Sequence, residues 1–314
     1  MTLLASSVLA LLSSTASAET LAWAWQPGQP VYYHAEVARE TIDGDWYFGA
    51  ENLEARATQV NLVTDMSCQA TENLGKRWLM ECRFYNVEIS GTAFSTEEES
   101  LRLIFDEYEG YLVDSWASFE FTTIGRLRSF DLHAIDAHNE RLGVVSESLR
   151  QLMLRPFGQL ELELPKKGVA GAKPWKQGGT PVLTQLRSSY GTTGNVAIKH
   201  SLASQDGAMV DIETQGHGTV AYGLAVEADG TRTIAVDLVG AASFDTASGQ
   251  LVRRESMVVG RFTAGSSYSN PADHFREIAA IERIAALPSS QAAPAPSAEP
   301  GQQPSEDGQE PTAD

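Results

Sequence analysis

The sequence predicts a mostly β protein: a single strongly curved antiparallel sheet or barrel packed on one amphipathic helix, with a short C-terminal helix and a disordered tail. Three observations predict it. Apolar and polar residues alternate with period two from Val31 to Phe130 and again from Pro181 to Phe262, as half-buried strands do. One stretch between these blocks, Asp136 to Arg155, changes to a period of about 3.6. The pattern F-D-x-x-x-G-x-L-V occurs twice, as Phe105, Asp106, Gly110, Leu112, Val113 and as Phe244, Asp245, Gly249, Leu251, Val252. Both copies read as strand, tight turn at Gly and strand, a duplicated β unit.

From the N-terminus, residues 1–18 read as a secretory signal peptide, with an uncharged apolar run from Leu3 to Leu12 and a small-x-small site at Ala16-Ser17-Ala18. The mature chain then starts at Glu19, and residues 19–287 form one β domain. Leu21, Trp23 and Trp25 alternate near that start, which fits either an edge strand that packs or an exposed arm. In the first block, Asp43-Gly44, Leu74-Gly75, Glu109-Gly110 and Ile124-Gly125 are read as turns, where glycine supplies positive φ. The helix spans 136–155, with Leu142, Val145, Leu149, Leu152 and Met153 on one stripe and Pro156 ending it. Gly143 inside the stripe suggests close packing. Strands resume at Gln159–Leu164, and the second block turns at Asp206-Gly207, Asp229-Gly230 and Ser248-Gly249. A short helix is expected over Asp273–Leu287, where Ile278, Ile281 and Ile284 share a face after Pro271. Residues 288–314 are rich in Pro, Ala, Ser, Gln and Glu and lack any large apolar residue, so they cannot offset their ordering entropy.

The chain has two cysteines. Cys68 and Cys82 fall on consecutive strands, Thr58–Ala70 and Lys76–Ile89, around the turn at Gly75. Opposed antiparallel residues approach closely enough for a disulfide, and export into an oxidising compartment, periplasmic or extracellular, would let it form. Two cysteines are too few for a self-sufficient zinc site. The formal net charge is −18, of which Glu299, Glu306, Asp307, Glu310 and Asp314 supply the tail's share. That balance repels phosphate, so nucleic acid and anionic membranes are poor partners. No later stretch reaches the roughly 20 apolar residues of a transmembrane anchor.

No catalytic motif is present. G-x-S-x-G is absent, and adjacent carboxylates in Thr96-Glu97-Glu98-Glu99 do not converge on one bond. His133, Asp136 and His138 do not share one face in either regular structure, so no metal site is read there. Gly216-His217-Gly218 reads as a bulge or turn. No cofactor is expected, and the chain is read as not an enzyme.

The opening strand Tyr32-Tyr33-His34-Ala35-Glu36-Val37, Phe121 with Gly125-Arg126-Leu127, the helix Asn139 to Leu152, and Val196-Ala197-Ile198-Lys199 together resemble the N-terminal β-barrel of the vitellogenin-type large lipid transfer proteins, in which a sheet wraps a central helix. The chain also looks similar to exported bacterial β-rich domains of unknown function. The first resemblance implies an exported, non-catalytic module that binds an apolar ligand, a lipid foremost, with Leu142, Val145, Leu149, Leu152 and Met153 lining the concavity. The alternative is a structural or adhesive envelope protein acting through protein–protein contacts.

Overall fold

A computed structural model describes residues 21–42, 46–50, 53–113, 115–133, 145–166, 173–178, 192–223, 231–264 and 274–288 of the 314-residue chain. Twelve strands form one antiparallel sheet that does not close: β1 (Val31–Thr41), β2 (Trp46–Ala50), β3 (Leu53–Asn73), β4 (Arg77–Ala93), β5 (Trp116–Thr122), β6 (Leu127–His133), β7 (Trp175–Lys176), β8 (Thr192–Asp206), β9 (Met209–Gly223), β10 (Thr231–Asp245), β11 (Gln250–Ala264) and β12 (Phe275–Ile284). Their spatial order is β6-β5-β4-β3-β1-β12-β11-β10-β9-β8-β7, with β2 paired to β3. The first and last strands therefore meet at the centre, and a meander runs outward on each side. Two helices are described, α1 (Glu98–Val113) and α2 (Val145–Leu160).

Alternation places the sheet's two faces correctly. Tyr33, Ala35 and Val37 of β1 are buried inward while Glu36 is exposed, and β5 buries Ala117, Phe119 and Phe121. Cys68 and Cys82 are register partners across β3 and β4, their Cα atoms 4.1 Å apart, and they are bonded. In the loop-entropy account such a bridge stabilises by about 3 kcal/mol.

Four expectations are corrected. Phe105–Val113, the first copy of the repeated pattern, is helical, so Glu109-Gly110 is no turn. Leu101, Ile104, Phe105, Tyr108 and Leu112 are buried, a helical spacing that the flanking strand-like text masks. In β4, Arg77–Arg83 pairs with β5; alongside the rest of the strand lies α1, and Glu109 Oε1 accepts the Ile89 N–H at 2.6 Å.

The expected C-terminal helix is β12. Phe275, Glu277, Ala279 and Ile281 point inward at 1–2% exposure, and β1 and β11 supply ladder bonds on both sides. A central slot in a sheet overrides the helix propensity of Glu, Ala and Arg.

Pro156 does not end α2, which continues to Leu160, so Gln159 and Leu160 are helical and Glu161–Leu164 belongs to no strand of the sheet. Gly216-His217-Gly218 runs in regular register with β8 and β10 rather than in a bulge. The expected helix start at Asp136, Leu142, Gly143, His138, the turns at Asp43-Gly44 and Asp229-Gly230, the leader and the tail from Ser289 onward lie outside the described residues.

Candidate functional site

The interior is built where the N-terminal arm, α2 and both meanders meet. Leu21, Trp23 and Trp25 are 1–5% exposed, so the arm packs. Trp23 stacks on Trp25 with centroids 6.0 Å apart and meets Phe121 of β5 edge-on at 4.9 Å and Phe244 of β10 at 5.3 Å. Its indole N–H donates to the Leu162 carbonyl at 3.1 Å, its backbone N–H to Thr123 at 3.0 Å, and the Ala24 N–H to Gly249 at 2.9 Å. One short segment thus ties the two halves of the sheet together, with each aromatic contact adding about 0.5–1.5 kcal/mol beyond its burial.

Helix α2 runs over β11, β12, β1 and β2. Of the residues expected to line a concavity, Met153 is fully buried, Val145, Leu149 and Leu152 lie on the N-terminal half of α2, and Leu142 lies outside the described residues. The C-terminal half is anchored by charge rather than by grease alone. Arg155 Nε lies 3.0 Å from Glu277 Oε2 on β12, and Arg39 Nη1 of β1 lies 3.9 Å from the same oxygen, all nearly out of solvent. The Arg39 guanidinium also sits 4.1 Å over the Phe275 ring.

Arg254, fully buried on β11, donates to the carbonyls of Gly158, Gln159 and Glu161 at 3.4, 3.0 and 2.8 Å. The last turn of a helix leaves carbonyls without intrahelical partners, and this guanidinium takes them. Burial pushes the Arg254 pKa down to about 10, partly countered by the Glu161 charge. Gln159 completes the contact by exchanging hydrogen bonds with Ser256. Sequence reading missed this clamp because Arg253-Arg254 looks like a solvated basic pair. The signal was the alternation of β11, which points Arg254 inward beside Ser256.

On the far meander His200 is buried between Thr214 and Gln177, its Nδ1 3.0 Å from Thr214 Oγ1 and its Nε2 3.0 Å from Gln177 Oε1. Burial, assisted by the Arg254 charge, lowers its pKa to about 3, so the ring is neutral at physiological pH. Trp175 and Gln177 belong to an extended strap: the Trp175 indole donates to the Glu163 carbonyl at 2.7 Å, and the Glu163 carboxylate accepts both from Arg126 at 2.9 Å and from the Gly178 N–H at 2.6 Å. Past the strap the inner face of β8, β9 and β10 is aliphatic. Val196, Ile198, Ile234, Val236 and Leu238 are buried there on neighbouring rows, beyond the strands that α2 crosses, and Ile212 is buried on the other side of the His200–Thr214 pair.

The outer face of β3–β6 carries a groove of about 480 Å³ lined by Thr71, Leu79, Glu81, Ser118, Ser129 and Asp131 among others. Its lining mixes these hydroxyls and carboxylates with the apolar side chains of Leu79, Met80 and Phe119. Beside it Ser118 Oγ lies 2.7 Å from His133 Nε2, and that ring stacks on Trp116. A nucleophile elbow sets its serine on a sharp strand-to-helix turn, whereas Ser118 sits mid-strand in β5. Among the described residues no three His, Cys, Asp or Glu side chains converge as a metal site, and no helix is long and apolar enough to cross a membrane. Asp136 and His138, which would have to join His133 in one, are outside them.

No family model matches the sequence, and no curated protein matches it. Among solved structures the chain is similar to one described as lipid–protein interactions in lipovitellin, with a TM-score of 0.45 and 10% sequence identity. The match covers 86% of this chain and 27% of that one, so the chain spans about a quarter of that protein's length. This is a likeness in the course of the chain, not membership of a family.

Proposed function

We propose that the protein is a non-catalytic exported module that binds an apolar ligand, with a lipid acyl chain as the class its lining fits. The observation that carries this reading is the aliphatic inner face of β8–β10: Val196, Ile198, Ile234, Val236 and Leu238 lie on neighbouring register rows on the part of the open sheet that α2 does not cross. Apolar surface of this kind gains about 25 cal/mol for each Å² removed from water, whether protein or ligand covers it. The sheet edge beside this face is the extended segment Trp175–Gly178, which pairs with β8 and whose Gln177 N–H reaches the Ile198 carbonyl at 3.0 Å. A strap held by a few hydrogen bonds opens locally at lower cost than a packed helix, which gives a ligand its way in. Export is supported by the Cys68–Cys82 bridge, since such bonds persist in oxidising compartments, and by the signal-like leader.

Native mass spectrometry of the exported protein, followed by chloroform–methanol extraction, tests this. The expected result is a released lipid of defined mass, and an emptied protein that takes up cis-parinaric acid. Substituting Ile198→Trp, which fills the lining without adding charge, is expected to weaken uptake at least tenfold, with about 1–3 kcal/mol of stability lost to overpacking at this buried position. A folded, disulfide-bonded protein that carries no lipid and leaves the probe dark would end the reading.

A further inference from the structure

We propose that Gln177 receives the head group of the acyl ligand, its side-chain amide donating to the carbonyl oxygen of a fatty acid or fatty ester whose chain lies across β8–β10. The proposal rests on the acyl-ligand reading above and adds to it the place of the ligand's polar end. Gln177 is 8% exposed and stands opposite Ile198 at the sheet edge, its backbone N–H bonded to the Ile198 carbonyl at 3.0 Å. Its amide oxygen lies 3.0 Å from His200 Nε2, whereas its amide nitrogen is buried with no hydrogen-bond partner among the described residues. A buried polar atom without a partner leaves its desolvation cost uncompensated, and such atoms are rare in folded proteins.

The partners of His200 decide which end of the amide is left over. The ring is neutral and so carries one proton. With the Thr214 hydroxyl donating to Nδ1 at 3.0 Å, that proton is on Nε2 and goes to Gln177 Oε1, which leaves the Gln177 amide N–H groups to donate elsewhere. Turning the amide over would strand its oxygen instead, but the positive charge of Arg254, which reaches His200, favours an acceptor oxygen here over a proton donor. The rows of the sheet give the rest of the ligand its shape. Gln177 lies where a polar row, His200 and Thr214, borders the aliphatic ones: Ile198 and Leu238 in the next row, Val196 and Val236 beyond it, and Ile234 in the row after that. Gly216 sits between Ile198 and Leu238, and a Cβ on it would fall 3.0 Å and 3.2 Å from their side chains, so the two close into one continuous apolar floor. Same-face rows are about 6.8 Å apart, so the three aliphatic rows run about 14 Å away from the Gln177 amide. A carbonyl head at the amide and an alkyl chain along the rows meet both halves of this surface.

Three fluorescent probes separate head from tail: cis-parinaric acid, its methyl ester, and diphenylhexatriene, a hydrocarbon with no hydrogen-bonding atom. All three are expected to bind the emptied protein. Gln177→Glu keeps an acceptor for His200 but sets an oxygen where the donor was; it is expected to weaken binding of the acid and the ester by about tenfold or more and to leave diphenylhexatriene within about twofold. Gln177→Leu, which removes the donor without adding charge, should do the same. In the parent, the infrared carbonyl band of the bound ester is expected at lower wavenumber than in hexane, a readout that needs no variant. A loss shared by acid and ester supports a carbonyl head of either kind, and a loss confined to the acid supports a carboxylate. Unchanged acid and ester binding in both variants, an unshifted carbonyl band, or an equal loss of diphenylhexatriene would overturn the head-group assignment and leave acyl binding standing. A parent that binds none of the three probes would instead end the acyl reading itself, and this assignment with it.

Discussion

The two copies of F-D-x-x-x-G-x-L-V share five residues and no structure. Phe105–Val113 is a helix packed beside β3 and β4, while Phe244–Val252 turns β10 into β11. The difference lies in what fills the gap between Asp and Gly. In the first copy it is Glu107-Tyr108-Glu109: Tyr108 is fully buried, Glu107 accepts from Tyr111 one turn on at 2.7 Å, and Glu109 takes the Ile89 N–H. In the second it is Thr246-Ala247-Ser248: the Asp245 carboxylate accepts from the Ala247 N–H at 3.0 Å and the Ser248 hydroxyl at 2.6 Å, the local bonds of a turn. Both phenylalanines and both leucines are buried all the same. A shared apolar skeleton fixes what is hidden, and the polar residues between decide by which path the chain hides it.

The most severe way to break this contrast is to give the first copy the second's insert, as E107T/Y108A/E109S. A fully buried tyrosine disappears and the Ile89 N–H loses its acceptor, so a loss of at least about 4 kcal/mol is expected in urea unfolding. A variant that keeps its stability within about 1 kcal/mol and its full helical circular dichroism would show that the gap residues do not decide the path. Next in size is Gly249→Ala. Gly249 has φ +65°, and a Cβ there would fall 2.5 Å from the Ala24 Cβ and 2.8 Å from the Ala24 nitrogen. Left-handed backbone costs about 1–2 kcal/mol for an L residue, and the Trp23–Trp25 arm must also move, so about 2–4 kcal/mol is expected together with a shift in tryptophan fluorescence.

The two meanders also hold histidine in opposite ways. His200, on the second, is kept neutral by burial, with its folded pKa at about 3. Its contribution to stability is complete above the unfolded value near 6.5 and is lost as pH falls toward 3, at up to about 1.4 kcal/mol per pH unit. His34 of β1, between β3 and β12, is lowered by burial, but the hydrogen bonds its ring gives to Asp65 at 2.8 Å and Glu36 at 3.2 Å, with their charges, outweigh that and leave its pKa raised. Its contribution is present at low pH and fades as pH climbs through that raised value, so its slope near pH 6.5 is opposite in sign to that of His200 and vanishes toward pH 5. Over that window His200→Gln, which keeps polar atoms in the site, should flatten the acid loss of stability by about 1–2 kcal/mol. An unchanged slope would mean that His200 is not buried neutral.

What could be read in advance follows from where each signal resides. Strands β1, β3 and β4, the Cys68–Cys82 bridge and the turns at Gly75, Gly207 and Gly249 were legible because alternation and turn chemistry are local. The burial of Trp23 and Trp25 was half legible: their spacing marked a face, but what the face meets lies on β5 and β10, far along the chain. Strand β12 was not legible, since Ile278, Ile281 and Ile284 suit a helix as well as a strand and only the slot between β1 and β11 chooses. Helix α2 passes Pro156 because the carbonyls of its last turn find Arg254, a partner almost a hundred residues on. The buried charges were hidden for the same reason, each looking like a surface residue until its strand was set in the sheet.

The finest test of the contrast between the two copies is the mildest substitution. Gly110 matches Gly249 in the repeated pattern, yet it lies exposed inside α1 with ordinary helical backbone, and a Cβ there would meet nothing within 4 Å. Glycine in a helix interior costs about 1 kcal/mol relative to alanine because more backbone freedom is lost on folding. Gly110→Ala is therefore expected to stabilise the protein by about 0.5–1 kcal/mol, measured as a higher urea midpoint at unchanged slope, while the same change at Gly249 destabilises. Opposite signs at two equivalent letters of one pattern can arise only if the backbone differs there. Loss of stability at both would return the first copy to a strand turning at glycine and remove α1 from the flank of β4.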